Sequence, residues 1–212
     1  MILTRTHLNP QRNGARKLLG SPQAMHAAIL SGFPPDTDPG RVLWRVDGDV
    51  GVSPVVYIVS VARPDLAHMD DQAGWPSRRM AESISYAPFL DKLEAGQVWQ
   101  FRLTANPTHR ATIGDRKKIV GHVTVSQQEQ WLRDRQEQLG IVLSTHDGGS
   151  TFGVVGRSVR EFRRQSASVT LSTATYAGTL RVVDPGLLRD ALTAGIGRGK
   201  AYGCGLMTLA AP

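Results

Sequence analysis

Gly195-Ile196-Gly197-Arg198-Gly199-Lys200-Ala201-Tyr202-Gly203-Cys204-Gly205 is the most glycine-dense stretch of this 212-residue chain. Glycines let a backbone approach a ligand closely, and their N–H groups can cradle phosphate oxygens. Arg198 and Lys200 add positive charge to the same segment. The Walker A pattern fails, because no Ser or Thr follows Lys200 and the glycine spacing is wrong. GxGxxG fails too, since Lys200 and Tyr202 stand where a third glycine would be. The stretch also follows a helical pattern and precedes a strand, the reverse of the dinucleotide-binding context. No nucleotide cofactor is expected. A tight helix-to-strand turn is the plain structural alternative.

Working outward, Asp184 and Pro185 open a helix with Leu187, Leu188, Ala191 and Leu192 on one face. Residues 151–162 and 169–183 are strand-rich and predict a long hairpin, and 206–209 read as the final strand. Ser126 with Glu129 forms a capping box for a helix running to about residue 139. Residues 98–103, 119–125 and 141–144 read as strands. In the first half, residues 2–8 predict a strand, 9–19 a polar loop, and 42–46 and 55–61 two further strands around a turn-rich DGDVG. Ser21-Pro22 starts a helix whose buried stripe is Met25, Ala28, Ile29 and Phe33. A short helix starts near Asp65, and residues 66–88 give no clear pattern. Each half therefore reads as strand–helix–strand–strand–helix–strand, the split βαβ order. The expected fold is α+β, with two tandem ferredoxin-like (βαββαβ) domains, an N-terminal one over 1–90 and a basic C-terminal one over 97–212.

The charge of +7 is unevenly placed. Residues 1–96 hold 10 Lys+Arg against 10 Asp+Glu, whereas 97–212 hold 15 against 8, so the whole excess lies in the second half. That asymmetry points to a polyanion partner on one part of the molecule. No apolar run of about 18 residues occurs, so no membrane partner is expected, and residues 1–17 lack the apolar core of a secretory signal. The single cysteine, Cys204, has neither a disulfide partner nor a CxxC neighbour and reads as a small buried residue of the terminal strand. A reducing, cytoplasmic setting is expected. None of His7, His68, His109, His122 and His146 has metal-ligand spacing, and the adjacent aspartates after His68 point apart on most elements, so no metal is expected. Aromatic residues are only 6% of the chain, which favours recognition of RNA stem shape and phosphates over base stacking.

Glycine–hydrophobic–glycine, five residues, then the same again near the C-terminus resembles the signature loop of the repeat-associated RNA-binding superfamily of CRISPR systems. The ending GIGRGKAYGCGLMTLA is most similar to the CasE family of endoribonucleases. FRLTANP (101–107) resembles the strand that opens that family's second domain, and Pro22 to Phe33, carrying His26, resembles its catalytic helix. The resemblance implies two ferredoxin-like domains, a CRISPR repeat hairpin as substrate, and membership of a Cascade-type complex with other protein subunits. It also implies metal-free cleavage, in which the ribose 2′-OH attacks the adjacent phosphate and leaves a 2′,3′-cyclic end.

The resemblance assigns His26 to catalysis, as base or acid. By residue pattern alone, His26 follows Met25 and so stands about 100° around the helix from the buried stripe, where it can face a cleft or serve structurally. The family often has a tyrosine three residues before this histidine, and here Gln23 occupies that place as an accessory candidate beside His26. A glutamine cannot do a phenol's proton work, though it can hydrogen-bond a phosphate or orient the ribose. The open alternatives for the second role are a lysine, another histidine, or His26 acting with the RNA's own geometry and little help. Gly197, Arg198, Gly199 and Lys200 are expected to contact RNA backbone. Arg157, Arg160, Arg163 and Arg164, opposed only by Glu161, are expected to grip a hairpin stem, unless they form a solvated charged hairpin. Arg116-Lys117-Lys118 and Arg12, Arg16 and Lys17 are secondary candidates that also read as exposed loops. Two other functions fit the sequence: an inert hairpin-binding subunit, which Gln23 favours, and a basic adaptor for an acidic protein.

Overall fold

The computed structural model describes residues 1–48, 53–76, 81–145, 147–164 and 167–212, and the side chains at 113, 163, 164, 167 and 168 lie outside that description. Parts of the DGDVG turn and His146 therefore fall outside the described residues. The chain divides into two compact units, Met1–Lys92 with Lys200–Leu206, and Leu93–Gly199 with Met207–Pro212.

In the first unit, β1 (Ile2–His7), β2 (Leu43–Asp47), β3 (Val55–Ser60) and β4 (Glu82–Ser85) form one sheet in the order β2-β3-β1-β4. Every pairing in it is antiparallel. Strand alternation gives the sheet two faces. Thr4, Thr6, Trp44, Val56 and Ile58 are buried, and the last three share a core with residues of α2 (Pro22–Leu30) and α3 (Ala67–Ala73). Helix α2 forms as the sequence predicts. The Ser21 hydroxyl accepts from the Ala24 N–H, Pro22 occupies the first turn, and Met25 and Ile29 are buried in the core. Full burial of such side chains stabilises by about 1.5–3 kcal/mol each. Buried Thr6 donates to Asp70 Oδ1 at 3.1 Å, which satisfies a carboxylate that the core would otherwise strand.

Residues 9–19 are not all loop: α1 runs over Asn13–Gly20, with Ala15 buried and Leu18 and Leu19 packed on the core. At eight residues it is too short to be stable alone, so the helix owes its existence to that packing. In the stretch without a readable pattern the described elements are α3, β4 and the start of α4 (Ala87–Asp91).

In the second unit, β5 (Val98–Ala105), β8 (Ile141–Val142), β10 (Ala167–Val182) and β11 (Met207–Ala210) run in the order β11-β5-β10-β8, and β9 (Phe152–Arg164) pairs with β10. The expected long hairpin is β9–β10, with a register shift at Thr175/Tyr176. Pairing of β5 to β10 stops at Ala174↔Ala105, so residues 167–173 of β10 pair with β9 beyond the end of β5. Helices α5 (Val125–Arg133), α6 (Gln136–Leu139) and α7 (Pro185–Ala194) complete the unit, with α7 capped by Asp184 as expected.

Three local expectations are corrected here. The helix cap is Thr124 with Gln127, not Ser126 with Glu129, and the reciprocal bonds of a capping box are both present. Starting two residues earlier keeps the same inward face, Trp131 and Leu132, and satisfies the first N–H groups. The strand expected at 119–125 is β7 (Arg116–Gly121), which pairs with β6 (Thr108–Ile113) through a Gly114-Asp115 turn. Arg116, Lys117 and Lys118 therefore lie on a strand rather than in a loop. Cys204 is fully buried but precedes β11, which begins at Met207 because the Leu206 carbonyl is turned to the Arg45 guanidinium at 2.8 Å.

Thr124→Ala should cost about 1 kcal/mol by removing the cap oxygen. A lower urea midpoint at unchanged slope is the expected readout, and no change in midpoint would show that the cap contributes nothing.

Candidate RNA-cleavage site

Helix α2 places His26 half-buried, one residue from fully buried Met25, as the helical pattern requires. Strand β2 turns Trp44 toward the same core, and the Trp44 Nε1–H donates to His26 Nδ1 at 3.3 Å. His26 lines a cleft of about 420 Å³ together with Asp38, Arg41 and Lys200, all within the first unit. Burial pushes the His26 pKa below its usual value, so the ring is held toward its neutral form. Burial, then the neighbouring charge of Arg41, pulls the Lys200 ammonium down as well.

The glycine segment reaches this cleft by a specific contact. Lys200–Tyr202 forms a 3-10 turn, and Gly203 follows with φ +80°. A Cβ at Gly203 would stand 2.8 Å from the Trp44 ring, so the residue must be glycine both for its backbone angle and for the indole beside it. Trp44 is thus held between Gly203 and His26.

The segment divides between the two units. Gly197, Arg198 and Gly199 belong to the second, where exposed Arg198 bridges antiparallel to Asn106, and a Cβ at Gly197 would meet the Trp131 ring at 3.0 Å. Lys200 belongs to the first unit, with His26. Gln23, one turn before His26, is half-buried and is not among the residues lining the cleft.

On the second unit, Arg157 and Arg160 are exposed along β9, and the Arg157 guanidinium donates to the Val123 carbonyl. Arg163 and Arg164 occupy the end of the same strand, paired with Ser168 and Ala167, and their side chains lie outside the described residues. Exposed Arg110, Arg116, Lys117 and Lys118 share the β6–β7 hairpin. Of the N-terminal cations, Arg12 donates to the Gly74 carbonyl and Arg16 to that of Gln11, so both serve the local backbone. His68 bonds Ser31 and the Ala28 carbonyl, while Asp70 is buried and Asp71 exposed, which separates the acidic pair as expected. Among the described residues, no group of three or more His, Cys, Asp or Glu is placed to hold a metal ion, and no helix is long and apolar enough to cross a membrane.

Sequence reasoning missed Arg41, Asp38 and Trp44. Arg41 and Asp38 lie in a Pro- and Gly-rich connection with no motif. Trp44 looks like any inward strand aromatic, and nothing in one dimension directs its N–H at a ring 18 residues earlier.

Residues 1–211 match the family model described as "CRISPR associated protein". The CRISPR-associated endoribonuclease Cse3 of Thermus thermophilus is 31% identical over 220 residues, covering 99% of this chain and 100% of that protein. The chain belongs to this family of CRISPR-associated endoribonucleases. Thermus thermophilus Cse3 bound to an RNA representing a pre-cleavage complex superposes with a TM-score of 0.81 at 30% identity, over 99% of this chain and 98% of that one. Cas6e from Escherichia coli K-12 has the same mixed fold, with a TM-score of 0.68 at 21% identity over the whole of both chains.

Proposed function

We propose that this protein cleaves CRISPR repeat hairpins in precursor RNA without a metal, by attack of a ribose 2′-OH on the adjacent phosphate, and keeps the product as a subunit of a Cascade-type complex in the cytoplasm. The observation that carries this is the cleft in which His26 stands with Lys200 and Arg41. Such cleavage needs a proton acceptor at the 2′-OH and positive charge around the phosphorane. Lys200, its pKa lowered, suits the acceptor role that Gln23 cannot fill, and Arg41 suits the charge. The Thermus relative bound to an RNA representing a pre-cleavage complex supports RNA as the ligand.

Tandem ferredoxin-like domains are supported by the order β2-β3-β1-β4 in the first unit, and in the second by β11 beside β5 and β10 beside both β5 and β9, with β8 and the β6–β7 hairpin additional to that pattern. In this reading the first domain holds the catalytic cleft. The second holds the stem through Arg157, Arg160, Arg163 and Arg164, and Gly197, Arg198 and Gly199 meet the RNA backbone.

The test is wild-type cleavage of the host's own repeat hairpin in excess EDTA, with the product ends analysed. Cleavage leaving a 2′,3′-cyclic phosphate and a 5′-OH is expected, with hairpin affinity that falls steeply as salt rises. Tight, salt-dependent binding without cleavage would replace this reading with an inert RNA-binding subunit. Salt-independent or absent hairpin binding would point to a protein partner instead.

A further inference from the structure

We propose that Trp44 is a positioning residue that fixes the tautomer of His26, so that His26 keeps its proton on Nε2 and serves the reaction as a hydrogen-bond donor rather than as a base or acid. The inference rests on His26 acting at the reacting phosphate, as proposed above. It starts from the direction of one hydrogen bond. An indole nitrogen can only donate, so the Trp44 Nε1–H at 3.3 Å requires a lone pair on His26 Nδ1. The neutral ring must then carry its proton on Nε2.

This excludes the two usual histidine roles at Nε2. A base there needs the proton on Nδ1, facing the indole N–H. An acid there starts as imidazolium and ends in that same tautomer, so it meets the same clash. With the indole bond intact, Nε2–H can only donate, and the developing charge on the phosphorane oxygens is its natural acceptor. The charged groups around the ring agree. In its cleft Asp38 is offset by Arg41, Lys200 is drawn toward its neutral amine, and burial holds the ring toward its neutral form. His68, on α3, bonds the far end of α2 and does not line the cleft.

The protons then balance without His26. The 2′ oxygen–phosphorus bond forms as the bond from phosphorus to the 5′ oxygen breaks. The 2′-OH proton passes to the neutral Lys200 amine, water protonates the leaving 5′ oxygen, and His26 ends as it began.

Gly203 makes the arrangement durable. Its missing side chain seats the Trp44 ring, with the nearest possible Cβ position at 2.8 Å, so the indole has little room to swing away from His26.

The first measurement is the ¹⁵N spectrum of His26 in the intact wild-type protein, which needs no variant and no cleavage. The expected neutral ring is protonated on Nε2. Protonation on Nδ1 would overturn the proposal whether or not the protein cuts RNA, while failure of wild type to cleave in EDTA would sink the underlying reading instead. The second is Trp44→Phe, which keeps an aromatic ring against Gly203 and removes only the donor. Its neutral His26 should populate both tautomers and titrate at higher pH. Cleavage at pH 7 should fall about 5- to 10-fold, the worth of one hydrogen bond, with hairpin affinity unchanged. In wild type the rate should climb with pH through the histidine range without a falling limb. A bell-shaped profile whose falling limb disappears in His26→Ala would show His26 acting as an acid and refute the proposal.

Discussion

His26→Ala should slow cleavage of the repeat hairpin by roughly 10²–10³-fold, the usual cost of deleting one preorganised donor to a developing oxyanion. Hairpin affinity should stay near that of wild type, because the exposed cations proposed to grip the stem lie on other elements, Arg157 and Arg160 on β9. Single-turnover rates with enzyme in excess over RNA separate the two quantities, since slow product release cannot then mask the chemical step. Lys200→Ala is the informative companion. It should also slow cleavage, and the rise of rate with pH should flatten, because the group whose lowered pKa sets that rise is gone. Lys200→Arg restores the charge but cannot supply a neutral amine at ordinary pH. Rescue by arginine would therefore assign Lys200 to charge stabilisation alone. If His26→Ala cuts at the wild-type rate, the cleft is not the reacting site.

These expectations follow from residues of unequal visibility in the sequence. The glycine segment was legible because five glycines in eleven residues serve no ordinary helix or strand, and the structure explains two of them by aromatic rings, Trp131 beside Gly197 and Trp44 beside Gly203. His26 stood out because Pro22 to Phe33 resembles the family's catalytic helix, whereas helical spacing alone put it at the edge of an apolar stripe, where a structural role fits equally well. The same arithmetic could not find α1, whose helical state comes from Leu18 and Leu19 packing on a core assembled from distant strands. Nor could it choose between two overlapping capping boxes, Thr124–Gln127 and Ser126–Glu129, since both satisfy the same pattern over the same inward face. The site was half visible for a related reason. Lys200 belonged to a marked motif, but its pairing with His26 depends on residues 200–206 grouping with the first unit, far from their neighbours in sequence. Long-range placement of that kind leaves no periodicity.

The device that secures this placement is a buried arginine, and Asp47→Ala should cost about 3–5 kcal/mol through it. The Arg45 side chain is 1% exposed. Its guanidinium donates to both Asp47 carboxylate oxygens at 2.7 and 2.6 Å and to the Leu206 carbonyl at 2.8 Å, and it lies 5.7 Å from the Tyr57 ring. Arginine cannot shed its proton to escape burial, so removing the carboxylate leaves a full positive charge in the interior. The reverse change is gentler. Asp47 is 19% exposed and can be hydrated when Arg45 becomes methionine, a side chain of similar length that fills the space without charge. Urea unfolding should therefore rank wild type above Arg45→Met and Arg45→Met above Asp47→Ala. Cleavage should suffer in both variants beyond any change in folded fraction. The Leu206 carbonyl anchors the run that seats Gly203 on Trp44 and brings Lys200 beside His26, and a loosened anchor blurs that geometry. If Arg45→Met proved the more damaging of the two, the pair would be working chiefly as a clamp on Leu206, with the burial of charge a minor matter.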